Sequence, residues 1–442
     1  MHLNGPITAG NITEPFEARS IELSRIGYLE HEWFLSGEAA AFVPTGPLGS
    51  DGTWSVETST TGEYTTRFVL RRPADISMWD GTVILEWLNV SGPMEVAADW
   101  TYERQAIVSA HAAWVGASVQ AIGVVGGTPL VSGPPSVDGL KQSNPERYAE
   151  LDHPGDAFSY DIYTQIATVL RSPEAARLFD GRSPELLIGA GQSQSAIFLA
   201  SYINAIQPIA KAFDGFFVHS RGSGAATLDG VPVLSEEPNG TRLRTDLDVP
   251  VLTFETETDF GQLLNFASAR QPDDDLLVTW EVAGTGHADT YFLGDDTSRC
   301  GRVNEGPHHY VAKAALEHLV RWAKSGVRPP TGDPITMTID SGVRAFVRDE
   351  HGNVRGGVRT PSVDVPVSTL SGDPHSGADP MCKTFGSTVP FDSAKLRMLY
   401  GTRDAYLAQF TDALKIAIDR GFIRAEDAHE YEEDARRVPD FS

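Results

Sequence analysis

The residues best suited to covalent chemistry form the run Gly189-Ala190-Gly191-Gln192-Ser193-Gln194-Ser195. A serine hydroxyl is a weak nucleophile until a base takes its proton, so it needs a histidine, and the histidine needs a carboxylate to fix its tautomer. A Gly-x-Ser triplet alone says little, because at ordinary glycine frequency a chain this long holds ~2 by chance. Three occur here, ending on Ser118, Ser183 and Ser193. Ser118 falls inside an apolar run that reads as a strand, and Ser183 precedes Pro184 where a strand begins. Ser193 alone stands where a short apolar run, Leu186-Leu187-Ile188, gives way to glycine and then to a helical stretch. A sharp strand–turn–helix bend can present a nucleophile there if the residues two before and two after are small, as Gly191 and Ser195 are. The N–H of Gln194, at the helix start, then points to the same place and can stabilise an oxyanion. A plain helix N-cap would account for Ser193 but not for the flanking glycines.

A base is expected on the loop after the last strand, and Ala283-Gly284-Thr285-Gly286-His287-Ala288-Asp289 fits that place. Its glycines let the loop turn sharply and carry the His287 ring over the serine. The acid should follow the strand between the two. Asp259 is the favoured residue and Glu257 the alternative, both in Glu255-Thr256-Glu257-Thr258-Asp259. The order serine, acid, histidine differs from those of chymotrypsin and subtilisin. A second oxyanion donor is expected from the backbone of Asn89 or Val90. Trp87, Met94, Trp100 and His219 are candidates for the substrate pocket. His308 and His309, after Pro307, are expected at the surface or as helix caps. His153-Pro154-Gly155-Asp156 reads as a turn and helix start.

These residues need a sheet to position them. Tyr64–Leu70 alternates and reads as an early strand of antiparallel type. Val83–Leu88, Ala113–Val119, Leu186–Ile188, Gly215–Val218, Val249–Phe254 and Leu276–Val282 are more continuously apolar, as central strands are. Helical patterns fit Tyr160–Arg171, Ala196–Ile206 and Val311–Lys324. The alternation predicts an α/β fold with a mostly parallel central sheet flanked by helices. The Gly/Pro-rich segments 122–158 and 222–247 are expected to form a pocket rim or cap. After Pro329-Pro330 the pattern changes. Residues 335–370 read as hairpin strands with a turn at His351-Gly352-Asn353, and 392–434 as helices with an apolar stripe of Leu407, Phe410, Leu414 and Ile418. The expected division is a catalytic domain over 1–330 and a packed C-terminal subdomain over 331–442.

The 442 residues carry 35 basic and 60 acidic side chains, a net charge of -25. That charge repels nucleic acid and anionic lipid and suits a small neutral or apolar substrate. No run of about 18 apolar residues exists, so no membrane insertion is expected. The start, Met1-His2-Leu3-Asn4-Gly5-Pro6, has neither a basic region nor an apolar stretch, so no signal peptide is expected; the compartment stays open between the cytoplasm and secretion after removal of a leader. Cys300 and Cys382 are either paired or two free thiols. Neither CxxC spacing nor HExxH is present, so no metal site is expected, and His308, His309 and Glu305 lack a metal-ligand pattern. Oligomeric state is not legible.

The chain resembles the α/β-hydrolase superfamily, and within it the "alpha/beta hydrolase domain-containing" group. The likeness is carried by Glu86-Trp87-Leu88-Asn89-Val90, Trp114-Val115-Gly116, His153-Pro154-Gly155-Asp156, Tyr160-Asp161-Ile162, Gly191-Gln192-Ser193-Gln194-Ser195, Thr256-Glu257-Thr258-Asp259, Gly286-His287-Ala288-Asp289 and Cys382-Lys383-Thr384-Phe385-Gly386. One departure is Ser195, where the usual Gly-x-Ser-x-Gly pattern ends in glycine. The resemblance implies a cofactor-free hydrolase of carboxylic esters. Lactone, thioester or amide cleavage by the same triad is the alternative, and a non-catalytic binding protein on the same fold is the alternative of another class.

Overall fold

The computed structural model describes residues 1–441 except 18–19, 93, 129–137, 234–239, 262, 295–299, 341–342 and 376–379. Nine strands form the main sheet in the order β1-β2-β3-β5-β4-β6-β7-β8-β9. They are β1 (His2–Asn4), β2 (Tyr28–Pro44), β3 (Val56–Pro73), β4 (Thr82–Trp87), β5 (Ala113–Ala117), β6 (Leu186–Gln192), β7 (Gly215–His219), β8 (Val251–Thr256) and β9 (Leu277–Val282). The pairs from β1 to β5 are antiparallel, and every pair from β5 through β4 to β9 is parallel.

The parallel strands are apolar on both faces because helices cover both. Along β4, Val83, Leu85 and Trp87 enter one apolar cluster, while Ile84 enters the other. The first cluster is closed by helix α2 (Ser159–Arg171) and helix α3 (Gln194–Ser201), the second by α1 (Ala98–Ser109) and α4 (His308–Ser325). β4 is the strand at which the winding reverses, with β5 on one side and β6 on the other. In open α/β sheets the crevice beyond the carboxyl ends of strands at such a reversal is where ligands bind. Asn89 follows β4 there and Ser193 follows β6.

The hairpin expected across 335–370 divides in two. β10 (Met337–Asp340) pairs with β11 (Val343–Phe346), with 341–342 outside the described residues, whereas β12 (Ser368–Ser371) pairs with β13 (Ser387–Pro390) farther along. The turn at 349–353 joins only a bridge between Arg348 and Val354. Three tail helices follow, α5 (Ser393–Tyr400), α6 (Arg403–Asp419) and α7 (Ala428–Ala435). Phe410 and Leu414 are buried in the same cluster as α4, with Leu407 and Ile418 packed against it. Cys300 and Cys382 are joined by a disulfide across 82 residues. Of the two expected rim segments, 129–137 and 234–239 lie outside the described residues. The rest includes Val124, Leu140, Tyr148 and Leu151, which cluster with Phe34, and Leu228 and Leu243, which join the main core. Among the described residues, no helix is long and apolar enough to cross a membrane.

Candidate active site

Between the last residue of β6 and the first of α3, Ser193 adopts φ 61° and ψ -120°. A side-chain-bearing residue held there carries about 1–3 kcal/mol of strain, which surrounding contacts must offset. One is the hydrogen bond from the Ser193 N–H to the His219 carbonyl, 2.8 Å. Another is the close crossing of strand and helix. A Cβ placed on Gly191 would sit 3.1 Å from the Ser195 Cβ, so any larger residue there would press strand and helix apart. Ser195 is fully buried at that crossing, and its small side chain fits where the usual pattern has glycine.

His287, on the loop after β9, brings its Nε2 to 2.8 Å from the Ser193 Oγ and its Nδ1 to 2.6 Å from the Asp259 Oδ1. A carboxylate only accepts, so Nδ1 bears the proton and Nε2 is left to accept from the serine. Asp259 lies in the 3-10 turn Glu257–Phe260 after β8, and its second oxygen accepts from the Thr256 N–H at 2.6 Å and the Thr256 hydroxyl at 2.8 Å. Burial pushes the Asp259 carboxyl up, but the His287 charge and hydrogen bond, with further hydrogen bonds including that of Thr256, outweigh it and leave the group below its ordinary value. Glu257 points elsewhere. It accepts from the Gly284 N–H at 3.0 Å and pairs with Arg348 at 3.1 Å, while burial holds its carboxyl above its ordinary range.

Of the two expected second oxyanion donors, Asn89 is unsuited: its N–H is hydrogen-bonded to the Val96 carbonyl at 3.1 Å. The Asn89 side chain instead donates to the Gln192 carbonyl at 2.9 Å and so ties the loop after β4 to the turn at Ser193. Val90 N–H faces the Gln194 side-chain oxygen at 3.5 Å, the outer limit of a hydrogen bond. The N–H of Gln194 itself stands in the first turn of α3, where no acceptor exists within the helix. Gln120 holds the Gln194 amide at 2.9 Å and also accepts from the Trp87 indole at 3.0 Å.

Trp87 and Trp100, expected to line the pocket, are core residues. Trp87 packs among Tyr160, Tyr163 and Phe198, and Trp100 against Trp114 and the Arg71 guanidinium. Helix α2 covers Trp87 through Tyr160 and Tyr163, and α1 carries Trp100 inward onto Trp114 of β5. Met94 is half exposed and, with Val90, Ile122 and Leu140, lines a cavity of about 240 Å³ whose wall also includes Arg67 and Glu95. His219 is buried beneath the elbow, its Nε2 2.7 Å from the Nε2 of His308. Burial pushes His219 down to about 3 and holds His308 well below its ordinary value, so both rings are neutral. His308 and His309 are therefore not surface residues. His308 donates from Nδ1 to the Gly286 carbonyl at 3.1 Å, and His309 stacks on Tyr291 at 3.8 Å. Asp99, Glu103 and His308 have no motif in sequence; only the one-turn spacing of the first two on α1 hinted that they share a face.

A family profile described as an alpha/beta hydrolase domain matches residues 3–433. The chain belongs to the alpha/beta hydrolase family. Solved structures similar to it include fungal esterases from Rhizomucor miehei, at 13% identity and TM-score 0.34, over 66% of this chain and 85% of that one. Another is an α/β serine hydrolase without a lid from Xanthomonas campestris, at 13% identity and TM-score 0.29, over 57% of this chain and 87% of that one. At these values the likenesses bear on neither site nor substrate. No curated protein matches the chain.

Proposed function

We propose that this alpha/beta hydrolase cleaves carboxylic esters through an acyl-enzyme on Ser193. The observation that carries the proposal is the unbroken hydrogen-bond chain from Ser193 through His287 to Asp259, at 2.8 and 2.6 Å. Ser193 attacks the ester carbonyl while His287 Nε2 takes its proton. Asp259 holds the tautomer and stabilises the imidazolium. The N–H groups of Gln194 and Val90 bind the oxyanion. His287 then protonates the departing alcohol, and water repeats the sequence on the acyl-enzyme to release the acid. The apolar side of the cavity beside Val90, formed by Met94, Ile122 and Leu140, and the acidic surface favour a small neutral or apolar ester. The division into residues 1–330 and 331–442 is part of this proposal, with the triad drawn wholly from the first.

A fluorophosphonate probe tests it. Wild-type protein is expected to be labelled and to hydrolyse p-nitrophenyl acetate, and Ser193→Ala to lose both. Labelling or hydrolysis that survives Ser193→Ala in folded protein would remove Ser193 from the mechanism.

A further inference from the structure

Directly below the elbow, Asp99, Glu103 and His219 converge in the core, at 1%, 0% and 0% exposure. One ligand-capable atom from each lies within 4.8 Å of the others. His219 Nδ1 is 2.8 Å from Asp99 Oδ1 and 3.8 Å from Glu103 Oε1.

The protonation of the cluster can be counted from its far end. The Gly286 carbonyl only accepts, so His308 donates to it from Nδ1, and the His308 Nε2 must be an acceptor. His219 therefore donates to His308 from Nε2, and its Nδ1 faces the two carboxyl groups. Both oxygens of Glu103 and the Oδ2 of Asp99 are buried without a hydrogen-bond partner. A buried carboxylate left unpaired is among the least favourable arrangements a core can hold. A hydrogen bond between Asp99 and the His219 Nδ1 still leaves both Glu103 oxygens without a partner. Among the described residues, no nearby group hydrogen-bonds them. Lys313 is paired with Asp427 at 3.1 Å and with Gln105. The neighbouring Glu86 is already saturated by the N–H groups of Asp99, Trp100 and Trp114.

We propose that Asp99, Glu103 and His219 hold a divalent transition-metal cation, and the donor set points to zinc. Two carboxylates and one neutral imidazole bring two negative charges, which one such cation cancels. Zinc bonded at about 2.1 Å in tetrahedral geometry keeps its ligand atoms about 3.4 Å apart, a spacing bracketed by the two distances above, and a second, unpartnered carboxylate oxygen of Asp99 or Glu103 is available as the fourth ligand. The N–H of His219 that faces away from the site is hydrogen-bonded to His308, the support a metal-bound imidazole requires. The cation cross-links α1 to β7 at the residue whose carbonyl holds the Ser193 N–H. It is a structural ion, sealed from substrate, and the inference stands whether or not Ser193 is the nucleophile. Sequence spacing concealed it, since its third ligand lies far along the chain from the first two.

Elemental analysis of full-length protein, expressed with added zinc and purified without chelator or immobilised metal, is expected to find about one zinc per chain. Adding Zn²⁺ to chelator-stripped, refolded protein is expected to raise the melting temperature by about 5 °C or more. The isosteric Glu103→Gln and Asp99→Asn are each expected to lower bound zinc below about a tenth of an equivalent. Metal-free wild-type protein with no thermal response to Zn²⁺ overturns the proposal. So does either variant, folded by near-ultraviolet circular dichroism, that retains a full equivalent. If neither variant folds, the wild-type metal content decides.

Discussion

Exchanging Asp259 for asparagine should damage the site by reversing one proton, and the geometry fixes which way it reverses. The Thr256 N–H can only donate, and it faces the Asp259 Oδ2 at 2.6 Å. In Asp259→Asn the amide oxygen must therefore keep that position, which turns the amide NH₂ toward His287 Nδ1. A donor there obliges Nδ1 to become the acceptor and moves the ring proton to Nε2, opposite the Ser193 hydroxyl 2.8 Å away. The imidazole can then no longer take the serine proton. The same exchange in a Ser-His-Asp triad lowers kcat about 10⁴-fold, or about 5.4 kcal/mol at 1.36 kcal/mol per decade. Glu257→Gln is the matched control. It does not touch His287, and its loss is one charge-assisted contact, to Arg348 or to Gly284, worth about 1.5–3 kcal/mol of stability. Its kcat should stay within about tenfold of wild type, the scale of a small displacement of the histidine loop. Steady-state hydrolysis of p-nitrophenyl acetate and the rate of fluorophosphonate labelling should fall together in Asp259→Asn, with KM little changed. Equal effects of the two exchanges, or a larger effect of Glu257→Gln, would refute the assignment of the acid.

The Cys300–Cys382 bridge closes a loop of 82 residues and should contribute about 4.5 kcal/mol, so reduction lowers the melting temperature; two reactive thiols in unreduced, denatured protein would contradict it. The pH dependence follows from Asp259, whose folded carboxyl lies below its ordinary value. The unfolded chain takes up this proton first as pH falls, so the group's stabilisation is complete above about pH 4 and is lost as pH drops through the folded pKa. Urea unfolding from pH 6 to pH 3 should show wild type losing stability faster than Asp259→Asn below about pH 4, and parallel curves would contradict the pairing.

The parallel strands were legible because both their faces are buried, which leaves near-continuous apolar runs in sequence. β2 was not. Its middle, Ser36-Gly37-Glu38-Ala39-Ala40, has residues with little preference for strands, and it is held extended by pairing with β3, with β1 beside Ser36 and α2 bonded to Glu38 and Ala40. The serine and histidine could be placed because each needs a glycine-rich bend of recognisable form. The choice between Asp259 and Glu257 could not be read, since it depends on a 3-10 turn in which Thr256 and Asp259 cap one another. Trp87 and Trp100 were misjudged for a related reason: aromatic residues near a pocket loop look alike in sequence whether a helix covers them or not. Asn89 and Val90 are adjacent, and only the bridge to Val96 distinguishes the N–H that is taken from the one that is loosely held.

The tail bears on the chemistry through the histidine loop. A loop with glycines at 284 and 286 is free to turn, and for the same reason it cannot hold a ring in place unaided. Much of what holds it comes from beyond residue 330. Arg348 pairs with Glu257, whose other oxygen accepts from the Gly284 N–H. The Ala288 N–H donates to the Thr384 carbonyl at 3.3 Å. Asn304 donates its amide to both Gly284 and Ser371 at 3.2 and 3.1 Å, while its own N–H is held by Phe385 at 3.0 Å. The disulfide at Cys382 lies two residues from Thr384 and fixes that strip of backbone to Cys300. On the opposite side His308 holds the Gly286 carbonyl. The imidazole is thus held by contacts from the tail as well as by the sheet. A misplacement of about 1 Å can cost about 10²-fold in rate, so the proposed mechanism depends on these contacts, though among the described residues no tail side chain is hydrogen-bonded to Ser193.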